Sequence, residues 1–252
     1  MIKKIIIKIL NFIRSILIII KRHGSPPSDP FSHYNTFVTE QKRKSYETFK
    51  HYFLKSIFVD RKNYQKYIIE RANENDPSNK KFYLEFGVFK GVSINFFSKY
   101  VNKIYGFDSF EGFGEVEEKY AHKFFQDSNF KWPYQKVVNR VNKLSKKLKL
   151  DAKIKKGFYK DTLDNPTNYG IEKASIIFLD SDLYTATLES LNFCTSLIQN
   201  GTIILIDEFF YFKGMKENTP YGAFIEWCKK NSFEFRVITH YGIGSAIVSI
   251  SK

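Results

Sequence analysis

The stretch that decides the fold is Lys81–Gly91, KFYLEFGVFKG. A short apolar run rises to Glu85, and Gly87 and Gly91 follow at a spacing of four. Ser93, Asn95 and the apolar pair Phe96-Phe97 come next. This order describes a buried strand that turns tightly and feeds a helix N-terminus. Glycines let the backbone approach a ligand because no Cβ stands in the way. Free amides at a helix N-terminus attract polar or anionic groups. The pattern E-x-G-x-x-x-G-x-S is not the G-x-G-x-x-G of dinucleotide enzymes, and alone it is weak. It gains weight because carboxylates end three later strand-like runs, at Asp108, Asp180 and Asp207. Together they predict a nucleoside-type ligand held over the turn.

Working outward from the turn, strand-like runs lie at 82–86, 103–107, 152–155, 175–180, 202–206, 233–239 and 244–250. Helical patterns lie between most of them, at 91–100, 134–149, 185–199 and 221–231. Strands alternating with helices predict an α/β fold, a parallel sheet with helices on both faces. IIFLD (176–180) and TIILID (202–207) are near-continuous apolar runs, as central parallel strands require. Only His240-Tyr241-Gly242 separates the last two runs. They predict a C-terminal antiparallel hairpin, which completes a seven-stranded sheet.

Upstream, the chain divides into a basic hydrophobic helix (1–23), a Pro- and Gly-rich linker (24–35) and a helical cap segment (36–78), with the sheet domain over 79–252. The cap reads as helices at 36–58 and 60–74, with Asp60 as N-cap of the second. Lys8, Asn11 and Arg14 interrupt the apolar stretch 1–22, which is too polar for a comfortable spanning helix. Lys4, Lys8, Asn11 and Ser15 form a narrow polar stripe, the pattern of a helix lying on an anionic membrane surface. The competing reading is a helix in a homo-oligomer interface. No small-residue cleavage site follows. The expected location is cytoplasmic, peripheral to the inner face of the membrane.

The 252 residues carry a net charge of +14, unevenly spread. Residues 1–66 hold 14 Lys/Arg against 4 Asp/Glu, residues 131–160 hold 11 against 1, and the remainder is net −6. A mildly acidic core with two basic patches argues against a uniformly basic nucleic-acid binder. It fits a membrane surface or a phosphorylated substrate. Cys194 and Cys228 have neither metal nor disulfide spacing and read as reduced core thiols.

In open α/β sheets, ligands bind beyond the carboxyl ends of the strands, where strand order reverses. Asp108 ends the strand after the glycine turn, where a carboxylate accepts the two hydroxyls of a ribose. The competing role is a cap for the segment that follows. Asp180 and Asp207 end adjacent apolar strands, so their side chains should converge with Glu208. Close carboxylates facing a cleft need a cation or a proton between them. Oxygen-only ligands suit Mg²⁺ or another hard divalent cation. Asp182 precedes LYTATLESL and reads as a helix cap or a residue that holds a metal ligand.

LEFGVFKGVS, YGFDSFEGF, KKGFYKDTL, FLDSDLYTATLESL and NGTIILIDEF occur in that order. This series resembles the macrocin and mycinamicin O-methyltransferase (TylF-like) family over roughly residues 80–250. The resemblance implies a class I, S-adenosylmethionine-dependent enzyme that methylates a sugar hydroxyl on a nucleotide sugar, a surface glycan or a glycosylated natural product. It implies a cofactor site of Glu85, Gly87, Gly91, Ser93, Asp108, Ser109, Gly157, Phe158 and Asp180. It implies a divalent metal, Mg²⁺ or similar, on Asp180, Asp207 and Glu208. The carboxylate pair here is Asp-Glu where the family more often has Asp-Asp. Catechol O-methyltransferase carries its base, a lysine, three residues after the first metal aspartate. Here that position is Leu183, so the catalytic base is sought among Asp182, Tyr184 and His240. The aromatic segment 111–133 has the profile of a lid. Two other readings compete: a nucleic-acid methyltransferase, which lacks an N-P-P-Y motif here, and a non-enzymatic membrane-associated module of the same fold.

Overall fold

The computed structural model describes residues 50–78, 80–114, 130–211, 216–242 and 244–251. The helix expected over 1–23, the linker 24–35 and most of the lid segment lie outside the described residues. So does the cap segment before residue 50.

The sheet has eight strands: β1 Ile57–Phe58, β2 Phe82–Phe86, β3 Lys103–Asp108, β4 Asp151–Lys156, β5 Ile176–Leu179, β6 Ile203–Ile206, β7 Glu234–Tyr241 and β8 Gly244–Ser251. Their spatial order is β1-β7-β8-β6-β5-β2-β3-β4. β8 runs antiparallel to both β6 and β7, and the other pairings are parallel. The predicted hairpin is therefore present. The central strands β2, β5 and β6 are buried at every residue. That is why their sequences read as unbroken apolar runs.

Among the described residues, helices α1 Arg61–Asn75, α2 Val92–Phe97, α3 Tyr134–Leu148, α4 Tyr159–Thr162, α5 Tyr184–Cys194 and α6 Pro220–Asn231 flank the sheet. Leu84, Phe86 and Phe107 on one sheet face pack with Leu191, Phe193, Phe224 and Trp227 from α5 and α6. Tyr83, Ile104 and Ile176 on the other face pack with Tyr64, Ile68, Ile94, Phe97, Val137 and Val141 from α1, α2 and α3. Each large apolar side chain so buried contributes about 1.5–3 kcal/mol. Asp60 caps α1 as expected, its Oδ1 accepting from the Asn63 amide at 3.2 Å. Thr219 caps α6, accepting from the Gly222 amide at 3.0 Å, and Pro220 occupies the first turn. No helix among the described residues is long and apolar enough to cross a membrane.

The eighth strand departs from the sequence reading, which carried a helix through residue 58. Residues 50–55 are helical, and the chain then leaves the helix. Ser56 Oγ lies 2.9 Å from the Phe53 carbonyl oxygen and 2.7 Å from His240 Nδ1. Such a hydroxyl competes with helix continuation. Ile57 and Phe58, of strand-favouring types, then pair with Thr239 and His240 on β7.

Candidate active site

The chain runs from β2 outward to β3 and β4, then returns to β5 on the other side of β2. Strand order therefore reverses between β2 and β5, and the crevice lies at their carboxyl ends. Gly87 leaves β2 there with φ +94°, a conformation in which a side chain is strained. A Cβ added to Gly87 would stand 1.9 Å from the Asp180 carbonyl oxygen. The exits of β2 and β5 thus touch backbone to backbone, and only glycine permits it. Gly91 precedes α2 in the left-handed conformation, and Ser93 sits half-buried in the first turn of that helix.

Asp108 ties the rim together. Its Oδ2 accepts from the Phe89 amide at 2.7 Å and its Oδ1 from the Phe110 amide at 2.6 Å. Burial raises its pKa, and these amide bonds oppose the rise. Asp108 thus closes the turns after β2 and β3 rather than capping a helix. Each carboxylate oxygen has a second lone pair, so acceptor capacity for a ribose remains. Ser109 is committed to its own loop, donating to the Gly112 carbonyl at 2.6 Å and accepting from the Glu111 amide at 3.1 Å. Its hydroxyl therefore shapes the loop beside Asp108. Gly157, at the exit of β4, donates its amide to the Asp108 carbonyl at 3.0 Å. The Phe158 ring is 36 % exposed and lies over Gly114.

Glu85 is 1 % exposed and accepts a 2.6 Å hydrogen bond from the Tyr83 hydroxyl. Burial pushes its pKa up to about 8; the Tyr83 bond opposes the rise and the Asp108 charge adds to it. A buried carboxylate at this position favours a cationic neighbour.

At the exits of β5 and β6, carboxylate oxygens of Asp180, Asp207 and Glu208 lie within 4.8 Å of one another. Asp180 shares a hydrogen bond with Asp207, and Asp182 shares one with Glu208. Burial, then the charges of Asp207, Asp182 and Glu85, hold the Asp180 pKa well above its ordinary range. Burial, then Asp207, Asp182 and Asp180, do the same to Glu208. Asp182 is pushed up to about 7, first by burial. Two oxygens bound to one Mg²⁺ or Ca²⁺ lie at most about 4–5 Å apart, so this donor set fits a hard divalent cation. Ser181 Oγ, between the two aspartates, is buried with no hydrogen-bond partner among the described residues. The longer Glu208 side chain still reaches the cluster.

The structure separates the three proposed bases. Asp182 stands at the cluster, in a left-handed conformation with φ +61°. Tyr184 begins α5 and turns its hydroxyl away, donating to Glu226 on α6. His240 is not in the hairpin turn, because β7 continues to Tyr241. It is 4 % exposed, packed among Phe53, Phe58 and Phe210, with Nδ1 against Ser56. Burial pushes its pKa down to about 4, so the ring is neutral and enclosed. One residue the sequence reading passed over joins the site. Tyr159 is packed edge-on against Phe86, and burial followed by the charges of Asp108, Asp180, Asp182 and Glu85 raises its pKa. Its place in the segment KKGFYKDTL was its sequence signal.

Residues 61–221 match the family model described as macrocin-O-methyltransferase (TylF), more than half of the chain. The chain belongs to this family. It is an S-adenosylmethionine-dependent O-methyltransferase. No curated protein sequence matches it. Among solved structures, the O-methyltransferase NovP is 18% identical, with 75% of this chain and 80% of NovP covered and a TM-score of 0.60. The calicheamicin methyltransferase CalS11 is 13% identical, with 84% and 94% covered and a TM-score of 0.56. At these identities the likeness establishes the fold, and the fold is the one the glycine turn predicted.

Proposed function

We propose that this methyltransferase acts on a sugar hydroxyl and that Asp180, Asp207 and Glu208 hold a divalent cation for the reaction. The observation that carries the reading is the contact between Gly87 and the Asp180 backbone, which sets the carboxylate cluster beside the cofactor turn. Methyl transfer from a sulfonium is an in-line displacement, so donor and acceptor must be aligned along one axis. A divalent cation, when bound, supplies Lewis acidity that lowers the pKa of a hydroxyl and a template that orients neighbouring hydroxyls. The protein supplies the rest. Glu85 is a buried carboxyl that gives up its proton when the positive end of the donor lies beside it. Asp108 offers its remaining lone pairs to the ribose hydroxyls. Phe158 walls the adenine side. Of the three bases considered, Asp182 alone carries its accepting oxygens into the cluster, so it receives the acceptor's proton.

Mn²⁺ binding, followed by calorimetry, tests the cation site apart from turnover. The wild-type protein should take up one ion, and Asp180→Ala should lose it while S-adenosylmethionine affinity stays within a few-fold. Turnover on glycosylated acceptors should fall below detection in Asp180→Ala and in wild type treated with EDTA. Full turnover in EDTA would remove the cation from the reading.

A further inference from the structure

We propose that the exposed face of α3 docks on an anionic lipid bilayer. The proposal does not rest on the choice of acceptor. Lys136, Arg140, Lys143 and Lys147 follow at intervals of four, three and four, so they share one helix face. All four are exposed, and with Asn139 and Leu144 they line a shallow groove of about 440 Å³. Val137 and Val141 are buried on the opposite face, which fixes the basic face outward. The stripe is about 16 Å long at 1.5 Å per residue.

The stripe pairs with no carboxylate among the described residues, although Arg140 donates to a main-chain carbonyl and Lys136 lies 5.7 Å from the Trp132 ring centre. Residues 131–160 carry 11 Lys/Arg and a single acidic residue, Asp151. Among the described residues, Lys136, Lys143 and Lys147 make no ion pair. Like charges four residues apart oppose helix formation, so the helix carries the stripe against its own stability.

The geometry narrows the partner. The carboxylate cluster ends β5 and β6, whereas α3 packs over β3 and β4. Adjacent strands stand about 4.8 Å apart, which puts the stripe roughly 15–20 Å from the cluster, too far for a phosphate on the same small acceptor. Single-stranded nucleic acid is held by stacking on aromatic side chains, and the groove contains none. A second copy would bring the same positive face. A bilayer offers a plane of phosphates to a straight exposed stripe, and lysines reach it by extending their stems. The stripe also starts at the rim that bears the site. Arg140 donates to the Lys90 carbonyl in the glycine turn, and the Lys90 ammonium sits 4.6 Å from the Trp132 ring centre.

The test uses the full chain and sedimentation with vesicles of phosphatidylcholine alone or with about one-third phosphatidylglycerol at about 0.1 M salt. Each basic residue near an anionic surface is worth about fivefold in partition. Lys136→Gln/Lys143→Gln/Lys147→Gln should therefore bind the anionic vesicles about a hundredfold more weakly than wild type. The same three positions changed to Arg should retain binding, cofactor binding should be unchanged in both, and melting should not fall in either, the Gln variant losing like-charge repulsion along α3. Three results would overturn the proposal: equal partition of the Gln variant and wild type, no preference of wild type for anionic vesicles, or tighter binding of wild type to RNA or polyphosphate than to the vesicles.

Discussion

The exits of β2 and β3 and the exits of β5 and β6 face one crevice but are finished differently. At the first, Asp108 is satisfied by the protein's own amides, from Phe89 and Phe110. At the second, Asp180, Asp182, Asp207 and Glu208 face one another, and burial with mutual repulsion raises the pKa of Asp180, Asp182 and Glu208. The first rim is satisfied by main-chain amides, whereas the second gathers carboxylates that need protons or a cation between them. Substitutions on the two rims should therefore differ in kind.

The largest effect belongs to Gly87, where the rims touch. Gly87→Ala places a Cβ 1.9 Å from a main-chain oxygen at φ +94°, and no side-chain movement can relieve that. Folded protein should be lost, or cofactor affinity should fall by about a hundredfold or more, as thermal melts and calorimetry would report. Gly170→Ala is the control, because its Cβ would meet nothing within 4 Å and only its φ of +69° is strained. That change should cost roughly 1 kcal/mol.

The next pair tests the comparison by sign. Asp108→Asn turns an amine toward backbone donors and should destabilise the cation-free protein by about 1–3 kcal/mol. Glu208→Gln fixes the uncharged form that burial and its acidic neighbours already favour and should stabilise the cation-free protein by about 1 kcal/mol. It should also abolish the rise in melting temperature that Mn²⁺ gives the wild type. Chemical denaturation in EDTA measures both, and a shift of the same sign in the two variants would break the distinction between the rims.

Glu85 provides the pH dependence. Its pKa rises from 4.5 to about 8 on folding, so the folded state holds a proton that the unfolded chain gives up. The stability from this group is present in full below about pH 4.5 and is lost as pH climbs through 8. The slope is about 1.4 kcal/mol per pH unit inside that window. Urea titrations across the window should show stability declining with pH in wild type and a flatter profile in Glu85→Gln.

Much of this was legible before any coordinates. IIFLD and TIILID could only be central strands, and the carboxylates at their ends had to meet once the strands lay side by side. Features that depend on distant partners were not legible. The strand Ile57–Phe58 exists because β7 runs beside it, and Ser56 and His240, which meet there, are 184 residues apart in the chain. His240 read as a turn residue because it stands one place before Tyr241-Gly242, and nothing local reveals the aromatic enclosure around it. Tyr159 escaped notice because its acidic neighbours come from the exits of three different strands, and only the strand order gathers them.

The smallest expected effect concerns the base. Tyr184 stands two residues after Asp182, yet its hydroxyl is held by Glu226, which links α5 to α6. Tyr184→Phe should therefore behave as the loss of one partly exposed hydrogen bond, lowering stability by about 0.5–1.5 kcal/mol and leaving kcat within about twofold. Asp182→Asn should do the reverse, lowering kcat by about a hundredfold or more while the fold persists. The decisive readout is the pH profile of kcat on a common acceptor. If Asp182 is the base, Tyr184→Phe keeps the wild-type profile and Asp182→Asn flattens its acidic limb. A collapse of kcat in Tyr184→Phe with an unchanged melting temperature would mean that the hydroxyl leaves Glu226 during turnover, and the base would then have to be reassigned to Tyr184.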